Sequence, residues 1–117
     1  MRPDSLTPRE RIFAALDTID AGRAVALARR LAGLVGGVKL GHEFFTANGP
    51  QGVMEVAAVG LPVFLDLKFH DIPATVAAAV RATLPLKPFM INVHAQGGAS
   101  MMRAAAEAAR ESFEGGG

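Results

Sequence analysis

The spacing of the apolar runs is the feature that most limits the possible folds of this sequence. Short runs with β-strand character begin near Ile12, Val38, Val63 and Met90, at intervals of 25 to 27 residues, and alanine-rich helical stretches separate them. A strand and a helix repeated at such a period form the βα unit of a parallel sheet. The sequence therefore predicts an α/β fold, and an open doubly wound sheet and a barrel both fit the pattern.

Cap and turn residues predict where the helices begin and end. Asp20 is expected to cap the first helix, which would stop at Gly36-Gly37. Pro73 is expected just inside the third helix, where its missing N–H costs little. The predicted strands are 11–17, 37–41, 61–69 and 90–95, and the predicted helices are 20–37, 49–60, 73–84 and 99–113.

Composition excludes several classes of protein. A length of 117 residues, half of them apolar, suggests one globular domain over 1–117. A net charge of +1 argues against nucleic acid or a membrane surface as a partner, and no apolar run reaches the ~18 residues of a membrane span. The absence of cysteine excludes disulfides and thiolate metal sites and fits a cytoplasmic protein. No G-x-G-x-x-G follows the first strand, which weakens a dinucleotide-binding interpretation.

Charged residues interrupt the third strand in FLDLKFHDIPATV, residues 64–76. Strand alternation predicts Asp66 and Lys68 on one face, opposite a face that is wholly apolar. Burying both charges costs several kcal/mol per ion unless they are paired, so stability alone would favour aliphatic residues. Since βα folds place chemistry at the carboxyl ends of their strands, these charges indicate a site. A structural ion pair at the same place is the alternative.

Further charges follow the same strand ends. Asp17 ends the predicted first strand, Lys39 lies in the second, and Asp71 follows Lys68 by three residues. Asp71 also has the residue type and position of the N-cap of the third helix, and capping does not exclude catalysis. Five charges at the same ends of three strands favour a functional cluster over accidents of packing.

Two histidines near strand ends are weaker signals. Asp66, His70 and His94 together permit a metal site, but their spacing matches no specific metal motif. Histidines in such positions are more typically hydrogen-bonded supports of a neighbouring site. Gly97-Gly98 is interpreted as a tight turn between the fourth strand and its helix.

The third-strand segment closely resembles a family signature. LDLKFHDIPATV is similar to the signature of the orotidine 5′-monophosphate decarboxylases, although D-x-K-x-x-D alone is shared with sugar-phosphate relatives. The likeness continues in VKLGHEFFTANGP and INVHAQGGASMM, and it covers nearly everything from Ile12 to about Ala109. Two positions depart from the pattern, because Ala74 stands where Asn is common and Gln96 where a small residue is usual. Neither is a catalytic position of the family.

The resemblance implies a fold and an activity. The fold is four βα units, strands 1–4 with helices 1–4, of a parallel-stranded (β/α)8 TIM-type barrel that works as a dimer. The activity is that of a cytoplasmic lyase that decarboxylates orotidine 5′-monophosphate to uridine 5′-monophosphate, the last step of pyrimidine nucleotide synthesis. No metal ion and no cofactor is expected. The implied partners are the nucleotide substrate and a second copy of the chain.

The resemblance also assigns roles to residues. Lys68 is expected to donate a proton to C6 of the pyrimidine, and Asp66 to lie beside the substrate carboxylate. Asp71 is expected to reach into the active site of the partner subunit. The implied catalytic network consists of Lys39, Asp66, Lys68 and Asp71, and the implied substrate contacts are Asp17 and Lys39 to the ribose, with Ile72 and Thr75 near Asp71.

Length sets a limit on this activity. A complete barrel typically needs about 250 residues, and its phosphate site usually follows strands 7 and 8. The chain is therefore expected to be the N-terminal half, poorly active or inactive alone, with two copies able to pair through their open strand edges. Two alternatives stay open: a Mg²⁺-dependent decarboxylase acting on a sugar phosphate, and a non-catalytic half-barrel assembly module.

Overall fold

Four strands alternate with four helices in a computed structural model of the chain. The structure describes residues 5–114, except for the side chains of 112–114. Short 3-10 turns lie at Arg9–Arg11, Leu84–Leu86 and Ala95–Gly97. The strands and helices, in chain order, are β1 Phe13–Ala15, α1 Ala21–Leu31, β2 Gly37–Leu40, α2 His42–Ala57, β3 Val63–Phe69, α3 Pro73–Thr83, β4 Met90–Val93 and α4 Ala99–Glu114.

The strands form one sheet in chain order, β1-β2-β3-β4. β1 pairs with β2 in parallel, with Ala14 opposite Val38, and β2 pairs with β3 in parallel, with Leu40 opposite Leu65. This order and the alternation with helices confirm the predicted fold of consecutive βα units. In a parallel sheet the carboxyl ends of the strands lie at one edge, and Asp17 and Asp71 follow such strand ends, whereas Lys39, Asp66 and Lys68 lie within β2 and β3.

Two compact units divide the described chain, one running up to Asp66 and the other starting at Leu67. In the first unit, α1 packs against α2, and Ala24 and Ala28 on α1 are completely buried. Gly37 begins β2 at a place with no room for a side chain, since a Cβ there would lie 2.5 Å from the Pro62 carbonyl oxygen. The other buried apolar residues of this unit are Leu16, Val38, Leu40, Phe44, Val53, Val56, Val63 and Leu65.

The second unit is organised around the packing of α3 on α4. An exposed ion pair joins the two helices, with Arg81 Nε 3.0 Å from Glu111 Oε1. Phe69 on β3, with Ile91 and Val93 on β4, packs against the buried cluster between these helices. That cluster consists of Val76, Ala77, Val80, Met101, Ala105 and Ala108.

Two predicted helix boundaries were wrong, and a glycine with positive φ lies near each of them. α1 ends at Leu31, five residues before Gly36, because Gly33 takes a left-handed conformation (φ 85°) that stops the helix. α2 begins at His42 and not near 49, because a first helical segment precedes Gly49. Gly49 leaves the helical conformation (φ 64°, ψ −166°), and Pro50 opens the second segment, the part that the sequence predicted.

The other two boundaries to note are the end of β1 and the start of α1. β1 is shorter than the predicted 11–17, and it ends at Ala15, so Asp17 lies in the loop that follows. Asp20 caps α1 as predicted, since its Oδ1 accepts the Arg23 N–H at 3.0 Å.

No helix within the described residues is both long and apolar enough to cross a membrane.

Candidate active site

An ion pair joins the second and third strands in the first unit. Lys39 Nζ on β2 lies 3.1 Å from Asp66 Oδ2 on β3. Asp66 is 5% exposed, and it is the only charged residue classed as buried among those whose side chains the structure describes. A buried carboxylate is stable as an anion only with a compensating partner, and the Lys39 ammonium supplies one. The side chain of Lys39 is 30% exposed, so this cation also faces water.

Asp17 is held near the backbone of Lys39 by the sheet. Ala15 lies opposite Lys39 in the β1–β2 register, and the next N–H, that of Leu16, donates to the Lys39 carbonyl at 3.0 Å. Leu16 is buried and fixes the chain at this point, whereas Asp17 is exposed. The sheet thus brings Asp17 to the end of β1, beside the strand that carries Lys39.

Lys68 has an unusual backbone for a strand residue. It lies inside β3 with a φ of 50°, in the left-handed region that residues other than glycine rarely adopt. The extended repeat on which the one-face prediction for Asp66 and Lys68 rested is therefore interrupted at Lys68. The residue is exposed, unlike Leu67 before it, which is buried.

β4 and the residue directly after it hold the backbone next to Lys68. The Lys68 N–H donates to the Asn92 side-chain oxygen Oδ1 at 2.9 Å. The His94 N–H donates to the Phe69 carbonyl, also at 2.9 Å. The sequence analysis did not single out Asn92, although an amide within the apolar run MINV was a signal, since Asn is depleted in strands.

Asp71 does not cap α3, so that part of the prediction was wrong. The N-cap is Ile72, which has no side-chain cap, while Asp71 Oδ1 accepts the adjacent Ile72 N–H at 2.7 Å. Asp71, Ile72 and Thr75 are all exposed, and Ile72 is 65% exposed in spite of its large apolar side chain. A shallow depression of about 540 Å³ opens here in the second unit, lined by His70, Asp71, Ile72, Pro73, Gln96 and Gly97.

The two histidines stack on each other. The rings of His70 and His94 have centroids 4.9 Å apart and are inclined by 17°. His94 Nδ1 also accepts the Gln96 N–H at 3.3 Å, in the turn before α4. Nowhere in residues 5–111 do three or more His, Cys, Asp or Glu side chains gather as metal ligands do.

Comparison with known proteins identifies the family. Residues 10–115 match the model of the orotidine 5′-phosphate decarboxylase / HUMPS family. The chain is 61% identical over 100 residues to the orotidine 5′-phosphate decarboxylase of Rhodospirillum rubrum, and 54% identical over 100 residues to that of Paramagnetospirillum magneticum. The chain belongs to this family.

Solved structures agree with the assignment. The crystal structure of orotidine 5′-monophosphate decarboxylase from Methanocaldococcus jannaschii superposes with a TM-score of 0.80 at 25% identity, over 88% of this chain and 50% of that one. An uncharacterized conserved protein from Geobacillus kaustophilus superposes with a TM-score of 0.75 at 40% identity, over 82% of this chain and 45% of that one. The expected family and the expected barrel-type βα fold are thus confirmed.

The match is partial with respect to the relatives. It covers 85% of this chain but 40% of the Rhodospirillum protein, and 86% of this chain but 43% of the Paramagnetospirillum protein. The chain therefore spans less than half the length of these curated decarboxylases. Within this family segment lie all seven residues that the sequence predicted for the site, from Asp17 to Thr75.

A double-mutant cycle tests whether the Lys39–Asp66 pair is a strongly coupled, partly buried interaction. We expect Lys39→Met to destabilise the fold more than Asp66→Asn, because it removes a cation 3.1 Å from a buried carboxylate that remains charged, whereas Asp66→Asn removes the buried charge itself. The coupling free energy from urea unfolding of the two single variants and the double variant should be about 1–3 kcal/mol. The exposed pair Arg81–Glu111 is the matched control. The same cycle with Arg81→Met and Glu111→Gln should give a coupling free energy of about 0.2–1 kcal/mol. Equal coupling in the two pairs would contradict this interpretation.

Proposed function

We propose that this chain supplies charged catalytic residues of an orotidine 5′-monophosphate decarboxylase, which releases CO₂ from orotidylate to give uridylate. The observation that carries the proposal is the buried Asp66 carboxylate of β3 paired with Lys39, near the carboxyl end of β2, in a chain of this family. Such a pair adds little net stability compared with well-packed aliphatic residues, so its presence calls for a chemical reason. The cytoplasmic location expected for pyrimidine synthesis goes with this proposal.

The reaction needs a cation beside the carbon that loses CO₂. When the bond from C6 to the carboxylate breaks, the electron pair stays on C6, in an orbital that the ring delocalises poorly. In the proposed mechanism the Lys68 ammonium lies next to C6 and stabilises this charge as it develops. Lys68 Nζ then transfers a proton to C6, which completes uridylate and leaves a neutral amine. No metal ion or cofactor takes part in these steps.

Asp66 and Lys39 have complementary roles in the proposal. Asp66 lies beside the substrate carboxylate, where two negative charges repel each other until CO₂ leaves. The burial of Asp66 strengthens that repulsion, because charges interact more strongly away from water. Lys39 pairs with Asp66 at 3.1 Å, and its exposed part contacts ribose hydroxyls together with Asp17.

The start of α3 is proposed to serve a second subunit. Asp71, Ile72 and Thr75 are exposed on this chain, and a carboxylate beside an exposed isoleucine suits a contact with a partner's active site. We propose that the enzyme is a homodimer in which these three residues complete the site of the other subunit. The nucleotide substrate is then enclosed by residues from both copies.

Replacing Lys68 tests the proposed reaction. The chain spans less than half the length of its relatives, so two forms of the protein are assayed. One is the chain alone. The other, called the completed enzyme, is a fusion in which this chain is followed by the part of the Rhodospirillum protein that the match does not cover. Lys68→Ala should lower orotidylate turnover in the completed enzyme by at least about 10³-fold, since both charge stabilisation and proton transfer are lost. Turnover is followed by ultraviolet absorbance.

Lys87 provides the matched control for this variant. It is also an exposed lysine in a left-handed conformation (φ 52°), but it lies after the 3-10 turn Leu84–Leu86. Lys87→Ala should therefore leave turnover unchanged while it imposes the same local backbone change. Unchanged turnover in Lys68→Ala would refute the catalytic assignment and favour a non-catalytic assembly role. Decarboxylation of a sugar phosphate, lost on adding EDTA, would favour the Mg²⁺-dependent alternative.

Mixing two inactive variants tests the contribution across the dimer. Asp71→Ala and Lys68→Ala completed enzymes, each inactive, are unfolded together and refolded as a mixture. If Asp71 acts in the partner's site, each mixed dimer has one site with both residues intact, and random pairing should restore about a quarter of the wild-type activity. No recovery, with mixed dimers demonstrated by native mass spectrometry, would show that Asp71 acts within its own subunit.

A further inference from the structure

Lys68 and Asn92 are joined by a contact that neither the fold nor the proposed reaction explains. Asn92 lies half-buried on β4 between Ile91 and Val93, at a position where strands disfavour asparagine. Its side-chain oxygen accepts the backbone N–H of Lys68 on β3 at 2.9 Å. An aliphatic residue at this position would suit the strand better, so the sheet alone does not account for the amide.

The conformation of Lys68 needs a restraint from outside its own strand. The two left-handed lysines of the described chain differ in this respect. Lys87 follows a 3-10 turn and its N–H returns to the Leu84 carbonyl at 2.9 Å, an ordinary way to end a helical turn. Lys68 lies within a strand, where its neighbours favour extended backbone and a left-handed residue is strained.

Two hydrogen bonds supply that restraint, one to Asn92 on β4 and one from His94, the residue directly after β4. Asn92 fixes the peptide before the Lys68 Cα, through the Lys68 N–H. The His94 N–H fixes the peptide after Phe69, through the Phe69 carbonyl at 2.9 Å. The second bond is between backbone groups and is available to any residue, whereas the first needs a side-chain acceptor at position 92. The dihedral angles of Lys68 lie between these anchors together with those of Phe69, so the two bonds restrict the direction of the Lys68 Cα–Cβ bond.

We propose that Asn92 is a positioning residue that holds Lys68 in its left-handed conformation and so directs the ammonium toward the reacting carbon. The effect of Asn92 on catalysis rests on the proposed function, whereas its effect on the Lys68 backbone does not. A cation held in place before the reaction stabilises developing charge without reorganisation, and a small displacement removes much of that benefit. Asn92 itself need not touch the substrate.

The structural half of the proposal is tested by NMR on the chain itself. The sequence contains three lysines, Lys39, Lys68 and Lys87, so labelling with ¹³C and ¹⁵N lysine gives a simple spectrum. Asn92→Leu removes the acceptor at similar size, and Asn92→Val is a second variant that suits a strand. Asn92→Asp keeps an acceptor oxygen at the same place.

The expected result is specific to one lysine. Leu and Val at position 92 should move the Lys68 Cα and Cβ shifts from left-handed toward extended values, and Asp should keep them left-handed. Lys87 should keep its left-handed shifts in all three variants, which reports that the fold is intact. Left-handed Lys68 shifts in both Asn92→Leu and Asn92→Val would overturn the proposal.

The catalytic half is tested by kinetics on the completed enzyme. Asn92→Val should lower kcat roughly 10- to 100-fold with little change in KM, as expected when a reacting group is misplaced and substrate binding is kept. Asn92→Asp should restore most of the rate. A wild-type kcat in Asn92→Val would overturn the positioning role. If the wild-type completed enzyme shows no turnover, the proposed function fails, while the NMR result still decides the role of Asn92.

Discussion

The Lys39–Asp66 ion pair is the interaction on which the interpretation of this molecule depends. It places a buried carboxylate within a parallel strand, where an aliphatic residue would have been stable without a partner. The parallel register of β2 and β3 makes the pair possible, since it sets Lys39 opposite Phe64, two residues before Asp66. Close packing at Gly37, and the hydrogen bond from Leu16 to the Lys39 carbonyl, then fix the strand that carries the cation.

The sequence predicted the fold well because the fold follows from periodic features. Four apolar runs at a constant interval specify four covered parallel strands, whatever the details of each helix. Boundaries were less predictable, because they depend on single backbone conformations. Gly33 ends α1 before the predicted stop at Gly36-Gly37, and the segment before Gly49 is helical although the predicted helix began only at 49.

The site was predictable only as a set of charged residues, and its local geometry was not. Strand alternation assumes extended backbone throughout, and nothing in the residue types shows that Lys68 is left-handed. Asn92 was missed because its role arises from a partner 24 residues away, which the pattern of either strand alone does not contain. Asp71 was expected to cap α3, but Ile72 occupies that position and Asp71 stays exposed.

Protection of Lys68 by a bound nucleotide is the most direct test of whether the charged residues of β2 and β3 bind a substrate or only stabilise the sheet. The completed enzyme is labelled with acetic anhydride with and without uridylate, and acetylation of Lys68 and Lys87 is quantified by mass spectrometry. Our account predicts that uridylate slows acetylation of Lys68 and leaves Lys87 unchanged, since both lysines are exposed in the chain without ligand. Equal labelling of Lys68 with and without nucleotide, at saturating uridylate, would contradict it.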